Sequence, residues 1–218
     1  MTIAREERIC WNNGSLKIEG MLGKQPGGDG VVICHPHPLM GGSMHNNVVE
    51  AIRDAFTLQN YTTLRFNFRG AGNSTGNYDE GRGEQSDILS AQEFLKKNGI
   101  EKIILAGYSF GAWVGSKVLE QSNQHFIASV LVSPPLNLFD FSWENLKNKI
   151  DLVVSGDCDQ YCDAKVLKKK ADEINSNMEI ISGTDHFYSG KEQKLIDILL
   201  KYIIEFNETQ ISEIEDDL

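Results

Sequence analysis

The sequence predicts an α/β fold: a mostly parallel β-sheet with an antiparallel hairpin at its N-terminal end and helices on both faces. Three observations carry this. Short apolar runs of strand length alternate with stretches of helical period, the pattern of successive βαβ units. Several of the runs, "GVVICH" and "KIILAG" among them, are apolar almost throughout, as strands covered on both faces are. The chain has 218 residues, 40% of them hydrophobic, which suits one domain around a substantial core.

The elements follow in order. "EERICW" and "SLKIEGML" flank the turn signal "NNG" and read as a hairpin. After the turn "KQPGGDG" comes the strand "GVVICH", then a helical stripe at Val48, Ile52 and Phe56. "YTTLRFNF" is a strand, and Ile88, Ala91 and Leu95 mark a helix. "KIILAG" is a strand, with Val114 and Val118 on the helix that follows. "FIASVLVS" and "IDLVVSG" are strands; Leu167, Ala171 and Ile174 make a stripe; "MEIISG" is the last strand. Leu195, Leu199, Tyr202, Ile203 and Phe206 lie on the final helix. Residues 1–207 are expected to form one domain, and the acidic segment 208–218, "ETQISEIEDDL", a mobile tail.

A net charge of −10 argues against nucleic acid and anionic membrane surfaces as partners. The polar start "MTIAREERICW" is unlike a signal peptide, and no apolar run reaches the length of a membrane span. The expected location is the cytoplasm, with the four cysteines, Cys10, Cys34, Cys158 and Cys162, as reduced thiols. Cys158 and Cys162 lack the second pair that a zinc site would need.

In a parallel sheet, ligands bind beyond the carboxyl ends of the strands, so chemistry is sought there. Two segments fit G-x-S-x-G: "GYSFG", Gly107 to Gly111, and "GNSTG", Gly72 to Gly76. Ser109 lies directly after a strand and directly before a helix, a sharp turn that lifts its side chain above the sheet. No helix follows Ser74 promptly, so Ser109 is the candidate nucleophile.

A serine hydroxyl needs a base, and the base an orienting acid. His186 follows the last strand and precedes the last helix. His125, in "QSNQH", enters a strand from the wrong end and reads as a surface histidine. Asp159, three residues past Gly156, sits on a loop able to reach His186; Asp157 is its rival. Asp185 is a poor partner, because neighbouring side chains rarely bond each other's rings.

With these residues in order Ser109, Asp159, His186, the chain resembles the α/β-hydrolase superfamily. "GYSFG" looks like its nucleophile elbow, "SGDCD" like its acid loop, "GTDHFY" like its histidine loop. "CHPHPLMGGSMHN" looks like the loop that supplies half the oxyanion hole, and "FNFRGAGNSTG" like the structural loop after the fourth strand. The closest likeness is to small cap-less bacterial serine hydrolases of the dienelactone-hydrolase-like or serine-aminopeptidase-like kind. "PPLNLFDFSWENLKNK" is too short for a helical lid, and Ser109 stands where dienelactone hydrolases carry cysteine.

The resemblance implies hydrolysis of a small ester or related acyl substrate through an acyl-enzyme, with no cofactor and no metal. It implies an oxyanion hole from the backbone N–H groups of Phe110 and His37; Pro36 and Pro38 have none to offer. It also admits Asp140 as the acid, since some members place it after the sixth strand. Met40, Met44 and Trp113 are candidates for an apolar pocket or for the core. Arg69 either binds an anionic group or ties its loop down. His35, His37 and His45 would be the competing metal cluster, which lacks a carboxylate nearby. Thioesterase and peptidase share this machinery, and a non-catalytic binding protein on the same fold is the alternative of another class.

Overall fold

The computed structural model describes residues 5–26, 28–121 and 126–216, the side chains of 213–216 excepted. Its strands are β1 (Glu7–Asn13), β2 (Leu16–Gly23), β3 (Asp29–Cys34), β4 (Thr62–Phe66), β5 (Lys102–Tyr108), β6 (Ala128–Val132), β7 (Leu152–Gly156) and β8 (Asn177–Ile181). Its α-helices are α1 (Asn47–Leu58), α2 (Arg82–Lys97), α3 (Phe110–Glu120), α4 (Ala164–Glu173) and α5 (Glu192–Asp216). The strands form one eight-stranded sheet in the order β1-β2-β4-β3-β5-β6-β7-β8. β2 runs antiparallel to β1 and β4, and every pair from β4 to β8 is parallel.

The period of two along each strand sorts side chains between two layers. Val31 and Ile33 join Val48, Ile52 and Phe56 of α1 and Leu195, Leu199 and Ile203 of α5 on one face. Val32 and Cys34 join Ile88, Ala91 and Leu95 of α2, Val114 and Val118 of α3 and Leu167 of α4 on the other. The helical stripes legible in the sequence are the faces that cover the sheet. Both layers close over the central strands, so those strands read as continuous apolar runs.

Two boundaries differ from the sequence expectation. β1 continues through Asn13, and the hairpin turns on Gly14 and Ser15 with Gly14 at φ 59°. A positive φ at the first turn position suits the twist of the flanking strands, and glycine adopts it without strain. At the other end, α5 runs on to Asp216 and so extends into the acidic segment. Tyr61 Oη donates to Asn207 Oδ1 at 2.6 Å, which ties the helix to the start of β4. A helix already nucleated by its packed turns propagates cheaply into polar sequence. His125 lies outside the described residues.

The segment between β6 and β7 carries only a short 3-10 turn, Trp143–Asn145, and no helical lid. The carboxyl ends of β3, β5, β7 and β8 therefore face outward along one edge, each continuing into a loop that holds a candidate residue.

Candidate active site

β5 delivers Ser109 directly. Its N–H still donates to Val132 O at 2.9 Å, in continuation of the β5–β6 pairing, and the next residue begins α3. The chain turns there at φ 55°, ψ −118°, a conformation rare outside glycine. The flanking glycines allow it. A Cβ on Gly107 would stand 2.5 Å from Gly111 O, and one on Gly111 2.5 Å from Cys34 O. The helix passes so close to β5 and β3 that neither position has room for a side chain.

β7 and β8 deliver the other two groups. Cys158 N–H donates to Thr184 O at 3.0 Å, which presses the loop after β7 against the loop after β8. Gly156 permits this approach, since its Cβ would fall on Thr184 O. His186 Nδ1 then lies 3.0 and 2.9 Å from the two carboxylate oxygens of Asp159. His186 Nε2 lies 2.8 Å from Ser109 Oγ. An acceptor-only carboxylate on Nδ1 puts the ring proton there and leaves Nε2 free to accept the serine proton. All three side chains are buried among the protein's own atoms, with Ser109 8%, Asp159 9% and His186 4% exposed. Tyr161 N–H donates to Asp159 Oδ1 at 2.9 Å, and Tyr108 Oη donates to His186 O at 2.8 Å. The acid and the imidazole loop are each held by a second bond. Such a chain can take a proton from a hydroxyl as it attacks a carbonyl and return it to a leaving group.

The rival residues are committed elsewhere. Ser74 Oγ donates to Asn67 O at 2.7 Å and accepts from Glu19 N–H at 3.1 Å, inside a buried loop. Asp157 accepts from Gly183 N–H, which holds its carboxyl below the usual range, and from Ser182 Oγ. Asp140 is exposed, and its carbonyl accepts from Trp113 Nε1. Asp185 accepts from Phe187 N–H. Arg69 grips the buried Asp87 with Nε and Nη2, at 3.0 and 2.9 Å, and so ties its loop to α2.

The histidines after β3 part company. His35 is fully buried, and both ring nitrogens are used: Nδ1–H donates to Pro36 O at 2.6 Å and Nε2 accepts from Phe68 N–H at 3.0 Å. Burial pushes its pKa down to about 4. His45 Nδ1 faces the Arg65 guanidinium. His37 Nδ1 accepts from Leu39 N–H at 3.2 Å, capping the 3-10 turn Pro38–Met40. Among the described residues, no group of three or more His, Cys, Asp or Glu side chains is placed to hold a metal ion.

A cavity of about 240 Å³ opens over Ser109 and His186. Its walls include His37, Met40, Leu138, Phe139, Tyr161 and Phe187. Met40 thus lies where the sequence suggests a pocket residue. Met44 does not: it is 1% exposed, outside the lining, and its N–H donates to Asn67 Oδ1. Trp113 stands behind the wall, stacked on Phe139 at 4.4 Å between ring centroids. Leu138, Phe139, Tyr161 and Phe187 escaped sequence reasoning because they lie on loops without periodicity. Their one signal is proximity to candidate residues: Tyr161 follows Asp159 by two, and Phe187 adjoins His186.

The chain is similar in sequence and fold to known proteins. A family model described as alpha/beta hydrolase fold matches residues 30–188. An uncharacterized protein of Rickettsia prowazekii (strain Madrid E) is 31% identical over 213 residues, 90% of this chain and 88% of that protein. The solved structure of an alpha-beta serine hydrolase homologue from Coxiella burnetii is similar at 31% identity and TM-score 0.82, over 93% of this chain and 99% of that one. A member of the a/b serine hydrolases without lid from Xanthomonas campestris is similar at 26% identity and TM-score 0.81, over 92% of this chain and 94% of that one.

Proposed function

The chain belongs to the alpha/beta hydrolase family, and on that premise we propose that it is a serine hydrolase that cleaves a small ester or related acyl substrate. The observation that carries the proposal is the unbroken chain Ser109 Oγ, His186 Nε2, His186 Nδ1, Asp159, with Ser109 raised on its strained turn. Ser109 Oγ attacks the acyl carbon while its proton passes to His186 Nε2. The tetrahedral intermediate then expels the alkoxide, which takes the proton from Nε2, and the acyl group stays on Oγ. Water repeats the sequence, losing its proton to Nε2, and releases the acid with Ser109 restored. Asp159 holds the imidazole tautomer and stabilises the imidazolium.

The oxyanion is assigned to the backbone N–H groups of Phe110 and His37. Phe110 opens α3, where an N–H has no acceptor within its own helix, and His37 lines the same cavity as Ser109. Removing one such donor costs roughly 3–4 kcal/mol of transition-state stabilisation. Thioesters and amides would use the same steps. The four unpaired cysteines favour a reducing, cytoplasmic setting. Among the described residues no helix is long and apolar enough to cross a membrane.

The test is the initial rate on p-nitrophenyl esters. Ser109→Ala is expected to lower it by at least about a thousandfold, whereas Ser74→Ala, if folded, keeps it near the parent value. A Ser109→Ala protein as active as the parent would refute the proposal and leave the non-catalytic binding role.

A further inference from the structure

Three polar side chains in the wall of the cavity over Ser109 have ends that the proposed chemistry does not use: His37, Asn46 and Tyr161. His37 Nε2, Asn46 Nδ2 and Tyr161 Oη have no partner among the described residues. What the rest of each side chain does decides what its free end can offer.

His37 Nδ1 accepts from Leu39 N–H at 3.2 Å, so it carries no proton. Burial lowers the pKa of the ring, which is neutral, and its one N–H is therefore on Nε2. Phe110 and Tyr78 fix the ring in place, at 4.8 and 4.9 Å between centroids. Asn46 is fixed by the same logic. Its Oδ1 caps α1 by accepting from Val48 N–H at 2.9 Å, which leaves the Nδ2 hydrogens as the free end. Tyr161 Oη, a hydroxyl, can donate or accept and so selects nothing.

The two committed free ends are both donors, and both belong to the segment that joins β3 to α1. Among the described residues of the wall there is no Asp, Glu or Gln side chain to accept from them, and Pro36 O already accepts from His35 Nδ1–H. In a cavity of about 240 Å³, a substrate that reaches Ser109 displaces the water these donors would otherwise bind. A ligand that cannot replace those hydrogen bonds loses affinity, and one that supplies an acceptor keeps it. Both side chains are ordered beforehand, so little freedom is lost on binding.

We infer that the substrate carries, near the ester it loses, a second oxygen acceptor of carbonyl or hydroxyl kind, held by His37 Nε2–H and Asn46 Nδ2–H, and that these two side chains select for it. The inference rests on the proposed hydrolase function.

Two pairs of esters put the acceptor on either side of the scissile bond. p-Nitrophenyl levulinate carries a ketone on the acid side, with p-nitrophenyl valerate as its alkyl counterpart. 2-Oxopropyl butyrate carries one on the alcohol side, with isobutyl butyrate as counterpart. The readout is the kcat/KM ratio, oxo over alkyl, in each variant relative to the parent, so the esters' own reactivity cancels. Asn46→Asp keeps a cap on α1 and puts an acceptor where the free donor was. His37→Phe keeps an aromatic ring beside Phe110 and Tyr78 and removes the N–H. Each is expected to lower the ratio at least about 5-fold on at least one pair. A smaller fall on both pairs, in either variant, would overturn the inference. So would a folded variant that hydrolyses none of the four esters, because that loss is common to both kinds. Asn46→Ser, which also caps a helix, and His37→Leu replace a variant that fails to fold. Fluorophosphonate labelling of the parent separates the two levels of failure. Labelling of Ser109 without hydrolysis of any of the four overturns the substrate class alone. Absence of both labelling and hydrolysis overturns the hydrolase function with it.

Discussion

Ser109 and Ser74 sit in the same five-residue pattern but carry different backbones. At Ser109 the serine itself takes the positive φ, 55°, a strain that costs about 1–3 kcal/mol in a residue with a side chain. In the other segment the positive φ falls on Gly72 and Gly76, and Ser74 is free to bond its own loop. The candidate acid is distinguished in the same way. Asp159 reaches the imidazole, whereas Asp157 stops at Gly183 and Ser182. Asp159→Asn is therefore expected to cut turnover by up to about 10⁴ through loss of charge and the wrong histidine tautomer. Asp157→Asn and Asp140→Asn are expected to change it by less than about tenfold. Rates at one pH, with melting curves to exclude misfolding, distinguish the three; a crippled Asp157→Asn beside an active Asp159→Asn would move the acid.

Each element that meets the site is held by bonds its sequence does not advertise. His35 joins the end of β3 to the loop after β4, and it does so as a neutral ring. Its pKa falls from 6.5 to about 4 on burial, so between those values the unfolded chain binds the extra proton. Stability from this group is complete above 6.5 and is lost as pH falls toward 4, on the order of 3 kcal/mol in all. Melting temperature is expected to fall from pH 7 to pH 5, and to fall less in His35→Asn. An equal fall in both proteins would contradict the assignment.

Gly111→Ala tests the close approach of α3 to β3: the added Cβ meets Cys34 O, at an expected cost of about 2 kcal/mol or more in denaturant unfolding. A variant as stable as the parent would show that α3 has room to spare. These elements were legible in the sequence because burial on two faces imposes apolar runs and stripes. The pocket walls were not. Leu138, Phe139 and Tyr161 obey no period, and which loop faces which depends on strand order. That order inserts β4 between β2 and β3, a pairing no local pattern encodes.

At the scale of the whole molecule, the sheet does the assembling. Ser109, Asp159 and His186 are dispersed along the chain, yet parallel strands bring their carboxyl ends to one edge. The order of the three residues and their places after strands were readable in advance, because Ser109 follows an apolar run directly and Asp159 and His186 lie on the loops that open at the ends of two others. The distances that make them a unit come only from the packing of three loops. The proposed chemistry uses side chains and backbone alone, so esterase activity is expected to survive dialysis against EDTA unchanged. Loss on chelation with recovery on adding zinc would instead assign a role to the histidines after β3. The most direct measurement of the central claim is mass spectrometry of the protein after reaction with a fluorophosphonate. One adduct is expected, on the peptide carrying Ser109, and none in Ser109→Ala. An adduct on the Ser74 peptide, or an unlabelled native protein, would contradict it.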